Sequence, residues 1–179
     1  MFKVGDEVAY GLHGKCVITA ITTKDLSAGP VSFYQIRAIK NPIAAKVINP
    51  NEPAILVPVE SAKSNGLRAL MTKEDAETAL KLLAEPDYHF EVTETWVSKQ
   101  KKLEEAIRRE GFIGLAKVIG HLHVCMSRDA VPPSTVTKFF DSVFRIFSRE
   151  LAETMGFPAM KDVEPMINRA LKEKLAKDN

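Results

Sequence analysis

The hydrophobic period of this chain changes once, near Thr72, and that change limits the fold more than any single motif. Before it, apolar residues come in short β-branched and aromatic runs. Val8-Ala9-Tyr10, Cys16 to Ile21, Val31 to Ile39 and Ala54 to Val59 are separated by the turn signals Gly11-Leu12-His13-Gly14 and Ser27-Ala28-Gly29-Pro30. The two glycines three apart predict a hairpin turn with positive φ. The prolines from Asn41-Pro42 to Pro53 remove donors and restrain their predecessors, so that stretch is expected to be a long loop. Pro58 assigns the last run to an edge or a strand end. Four or five short strands in so few residues are expected to curl into a small barrel.

After Thr72 the period is helical. Thr72-Lys73-Glu74-Asp75 offers a capping hydroxyl, and Ala76, Ala79, Leu80 and Leu83 share a face until Pro86. A second helix is expected from about Thr93 to Gly111, with Trp96, Leu103 and Ile107 on one stripe. A third carries Ile113, Ala116, Val118, Ile119 and Leu122. Pro132-Pro133-Ser134 opens a fourth, whose broad face of Val136, Phe139, Phe140, Val143, Phe144, Phe147 and Leu151 marks it as the central core helix. A fifth runs from Asp162 to Lys174. The expected fold class is α+β: a small barrel over residues 1–66, then an all-helical bundle over 72–179.

Function classes are narrowed mostly by exclusion. The longest apolar runs fall far short of the ~18 to 20 residues of a membrane span. The first residues lack the pattern of a secretory signal, so cytoplasmic residence is expected. Cys16 and Cys125 read as free thiols. Net charge is only +2, so any nucleic-acid contact must be local. Gly11, Gly14 and Lys15 lack the spacing of a phosphate loop. His121, His123 and Cys125 fail as a metal cluster on a helix, because residues two apart point ~200° apart. No catalytic constellation emerges, and no cofactor or metal is implied.

The second helix is the exception. Trp96 stands near its start, ahead of Lys99, Lys101, Lys102, Arg108 and Arg109, with Glu104 and Glu105 interrupting the run. One reading is a solvated cationic face with Trp96 packed along the Leu103 and Ile107 stripe. The other is a helix that holds phosphates while the indole stacks on or wedges beside an opened base. Spacing is compatible with both.

A wider set of residues bears on the choice. Phe2 to Tyr10, the His13-Gly14 turn, Ser32 to Ile36, Val57-Pro58-Val59 and Asn65 to Arg68 occur in that order. Thr95-Trp96, Gly114 to Ile119 with Leu122, and Arg145 through Arg149 to Ala152 follow them. Together they resemble the CarD/CdnL family of bacterial transcription regulators over nearly the whole length. The first part is also similar to the polymerase-binding domain of transcription-repair coupling factors. The resemblance implies a Tudor-like barrel that docks on the RNA polymerase β subunit, and helices that touch promoter DNA at the upstream edge of the bubble. A monomer, associated with the nucleoid through polymerase, is expected.

By the same resemblance Trp96 is the wedge, Lys99, Lys101 and Lys102 are phosphate contacts with Arg108 and Arg109 beyond them, and Lys24 and Leu56 lie in the polymerase contact. Leu56 stands where relatives often carry a basic residue. Ser98-Lys99-Gln100 replaces a paired-arginine and aromatic motif. The implied function is non-enzymatic stabilisation of the open promoter complex. The alternatives are a polymerase-bound protein adaptor without DNA contact and a small-barrel RNA- or ribosome-associated protein.

Overall fold

A computed structural model describes residues 1–27, 29–40, 53–85, 95–128 and 131–178. Strands β1 (Glu7–Tyr10), β2 (Gly14–Leu26), β3 (Gly29–Ala38), β4 (Ile55–Pro58) and β5 (Leu67–Arg68) form one antiparallel sheet in the order β4-β3-β2-β1-β5. Helices α1 (Lys73–Leu83), α2 (Trp96–Glu110), α3 (Phe112–Arg128), α4 (Ser134–Met155) and α5 (Glu164–Asp178) follow. The α+β class and the single change of period are therefore as the pattern predicts. The expected loop over 41–53 lies outside the described residues except for Pro53, as do Pro86 and Thr93.

The β1–β2 turn is a short 3-10 segment, Gly11–His13, flanked by positive φ at Gly11 (43°) and Gly14 (69°). β2 and β3 are longer than the short runs suggest. A bulge between Ile18 and Ala20 resets their register, so that Ile18 faces Ile36 while Ala20 faces Gln35. Val8, Cys16, Ile18, Tyr34, Ile36, Val57 and Leu67 fill the concave side, with Ala62 laid over it from the β4–β5 connection.

The closed barrel is not observed: among the described residues β4 and β5 are the two edges and do not pair. In a flat sheet these edges would stand about 19 Å apart at ~4.8 Å per strand. Yet their connection is wound into turns, with Ala62 N bonding Val59 O, Gly66 N bonding Lys63 O and Leu67 N bonding Ala62 O. A link so shortened brings the edges together only if the sheet is strongly curled. Among the described residues the open side is spanned by the chain of the β4–β5 connection and not by a strand ladder.

The helical core centres on α3, where Leu115, Ala116, Val118, Ile119, Leu122 and Val124 are all buried and α1, α2, α4 and α5 pack around them. This corrects the expectation that α4 is the central helix. α4 buries Phe139, Val143, Phe147 and Leu151 but leaves Lys138, Asp141 and Arg145 in solvent. Its face is broad because it also meets the sheet region. Gly114 explains how closely α2 and α3 approach: a Cβ there would lie 2.4 Å from the Ala106 carbonyl oxygen. Thr72 caps α1 through a reciprocal pair with Asp75. At the other end, the buried Lys174 donates to the Glu85 carbonyl (2.5 Å) and Lys177 to that of Ala84 (3.1 Å). Two ammonium groups from α5 thereby satisfy acceptors that α1 leaves without intrahelical partners.

Candidate functional site: the sheet face and the basic helix

α2 starts after Thr95, whose backbone is extended, and stops at Gly111, whose N–H bonds the Ile107 carbonyl at φ 62°. Glycine is required there twice over. The left-handed backbone disfavours a side chain, and a Cβ would lie 2.6 Å from Arg68 Cδ. At ~100° per residue, Leu103 and Ile107 fall within about 20° of Trp96, and all three face the core. The indole is half-buried, edge-on to Phe139 with centroids 5.9 Å apart and planes at 74°.

The cations lie elsewhere on the cylinder. Lys101 with Arg108, and Lys102 with Arg109, project about 120° to 140° from Trp96 on opposite sides and are exposed. Lys99 is half-buried nearer the tryptophan. Glu105, between the two exposed rows, pairs with Arg108 and, at 3.7 Å, with Arg109. Glu104 accepts from Gln100 at 2.8 Å. Trp96 and the outward lysines thus share a helix but not a face, and a ligand meeting both would have to wrap the helix start.

Lys24 and Leu56 do share a face. Register pairs Lys24 with Val31, Thr22 with Phe33, Phe33 with Pro58, and Gln35 with Leu56. Alternation along each strand therefore sets Lys24, Phe33 and Leu56 on the convex side, opposite Tyr34 and Val57. Lys24 is exposed and Leu56 is 37% exposed on the edge strand.

Between these two surfaces lies a polar junction that the sequence did not flag as a unit. Arg68, on β5, forms a fork with Glu150 on α4, with Nη1–Oε1 at 2.6 Å and Nη2–Oε2 at 2.7 Å. Glu150 is only 8% exposed and also accepts from the Met71 amide (2.8 Å). The guanidinium carbon lies 5.8 Å from the Phe112 ring centroid. Nearby, Lys15 of β2 is held by Glu7 (2.7 Å) and by Glu153 of α4. Burial acts to lower the Lys15 pKa, but the bonds to Glu153 and Glu7 outweigh it and leave it raised. Leu12, from the β1–β2 turn, packs on the helical core. The available signal was a carboxylate, Glu150, placed between Phe147 and Leu151 on an otherwise apolar helix face.

The thiols sit apart from all of this. Cys16 is fully buried and its pKa is pushed up to about 12 by burial. Cys125 Sγ lies 3.5 Å from His121 Nε2, while His123 turns away to stack on Phe140, as helical spacing predicts. Burial lowers the His123 pKa. Among the described residues no three His, Cys, Asp or Glu side chains are grouped to hold a metal ion, and no helix is long and apolar enough to cross a membrane. Compared with models of known protein families, the chain matches none.

Proposed function

We propose that the chain is a transcription regulator that binds the RNA polymerase β subunit through its sheet and steadies the melted promoter through α2. The observation that supports it most is the common convex face of Lys24 and Leu56, because these two residues entered separately, from different strands, through the resemblance to CarD-like regulators. An exposed leucine on an edge strand with a lysine at its rim suits a protein partner. The mechanism is linkage. A factor that binds the melted promoter complex better than the closed one shifts the equilibrium by that difference in affinity, and equal binding would shift nothing. The junction at Arg68, Glu150, Lys15 and Glu153 serves this mechanism, since it holds the docking face and the basic helix at a fixed separation.

A second reading, a polymerase-bound adaptor that recruits another protein, draws support from the packing of Trp96 on Phe139, which leaves less of the ring for a base. Two variants separate the readings. Lys24→Glu and Leu56→Glu should each weaken capture of the chain by an immobilised β subunit, and wild-type retention in both would remove this face from the contact. If the β subunit retains the chain but no salt-dependent DNA affinity accompanies it, the adaptor reading stands.

A further inference from the structure

Opposite α2, the β4–β5 connection forms one wall of an open groove of about 730 Å³, lined by Glu60, Lys63, Ser64, Asn65, Glu105, Arg108 and Arg109. Every lining side chain is polar or charged, which suits a charged ligand and not an apolar one. The two walls are held in register. A Cβ on Gly66 would lie 3.0 Å from Arg108 Cγ and 3.4 Å from its Cα, so the turn backbone touches the helix. The turn is also bonded to itself: Ser64 Oγ donates to the Ser61 carbonyl and Asn65 Nδ2 to Ser61 Oγ, each at 2.9 Å. Lys63 is therefore presented from a preorganised turn across from Arg108, which donates to Glu105, and from the exposed Arg109.

We propose that this groove takes the phosphodiester backbone of a nucleic acid, with Lys63 as a phosphate contact supplied by the sheet region. The proposal rests on the DNA-contact reading above and extends it, because nothing in that reading gives the sheet region a share of the DNA. Continuity favours it. The two exposed rows of α2, Lys101 with Arg108 and Lys102 with Arg109, both end beside this groove, and Lys63 adds a cation on its opposite wall. Three cations against Glu60 and Glu105 fit one or two phosphates, so the contact is local.

The test uses the full chain and a fluorescently labelled duplex containing a short bubble, with affinity read by anisotropy between 50 and 200 mM salt. Each lost phosphate contact should flatten the salt dependence by about 0.9 units, so the wild type should lose about 3.5-fold more affinity over that range than Lys63→Ala. Lys63→Glu should bind more weakly still at the low-salt end, with thermal melting unchanged in both. A wild-type slope for Lys63→Ala, beside a reduced slope for the triple Lys99, Lys101 and Lys102→Ala variant, would overturn the groove and leave the α2 reading standing. Absence of salt-dependent binding in the wild type would overturn both. Displacement of the duplex by polyglutamate as readily as by unlabelled DNA would assign the groove to an acidic peptide and overturn the nucleic-acid occupant.

Discussion

The two regions of the molecule are stabilised by different means. The helices surround α3 with an apolar core that runs from Met71 to Leu171, and the buried Lys174 enters it with a partner, the carbonyl of Glu85 at the end of α1. The sheet region has a far smaller core, curls without closing, and shares charges with α4 through Lys15 with Glu153 and Arg68 with Glu150. A core of that size is marginal alone. The difference teaches that the sheet region is stabilised from outside, and that the junction which does so also fixes where its convex face stands relative to α2.

The junction is the first place to break that arrangement. Arg68→Ala would leave the Glu150 carboxylate buried without its counter-ion, at a cost of about 3 to 5 kcal/mol. Denaturant unfolding should show the sheet region separating first, as a second transition ahead of the helices. Replacing both partners with apolar residues, Arg68→Met with Glu150→Leu, should recover much of the loss. A single unshifted transition in Arg68→Ala would mean that the regions do not depend on the fork.

Within the helical region the close approach at Gly114 can be broken. Gly114→Ala sets a methyl against the Ala106 carbonyl and should cost about 1 to 3 kcal/mol by driving α2 from α3. Since α2 carries the cations, DNA affinity should fall with it, while capture by the β subunit should persist if the sheet face is intact. Trp96→Ala sharpens the same division. The loss of its half-buried contact with Phe139 should cost about 2 kcal/mol, a drop of roughly 4 to 8 °C in Tm for a chain of this size. An unchanged Tm would show that the ring contributes nothing to packing.

A gentler probe is alkaline pH. Because the folded Lys15 holds its proton more tightly than the unfolded chain does, its contribution is complete below pH 10.5 and fades as the pH climbs through the raised value. Stability against denaturant should therefore decline above pH 10.5, and Lys15→Met should flatten that part of the profile. The smallest effect on folding belongs to the lysines of α2. Changing Lys99, Lys101 and Lys102 together to Ala should leave stability within about 0.5 kcal/mol per site while flattening the salt dependence of DNA affinity by up to three units.

The parts of this architecture that local rules govern were legible in the sequence. The Gly11 to Gly14 turn, the edge position of Pro58, the Thr72 cap and the Gly111 stop each follow from backbone restrictions that one or two residues impose. So did the stripe of Trp96, Leu103 and Ile107. The open sheet was not legible, because closure depends on whether two strands far apart in sequence find each other, and nothing in Ile55–Pro58 or Leu67–Arg68 says that they do not. The enclosure of α3 was missed because its glycines, read one by one, show no partner; only the neighbouring helix reveals what Gly114 makes room for. Arg68 and Glu150 are 82 residues apart, and their pairing is a product of the fold. At the candidate site the residue types were legible, but the division of α2 between an inward indole and outward cations became a physical fact only once its buried face was known.

The central claim is that one rigid chain links polymerase to melted DNA, and the lifetime of the open promoter complex tests it most directly. With bacterial RNA polymerase on one promoter, competitor added after melting, the decay of open complexes should slow when the wild-type chain is present. The slowing should be lost with Leu56→Glu, which leaves α2 untouched, and with the triple lysine variant, which leaves the sheet face untouched. A lifetime that the wild-type chain does not change, at concentrations that saturate the β subunit, would contradict the account.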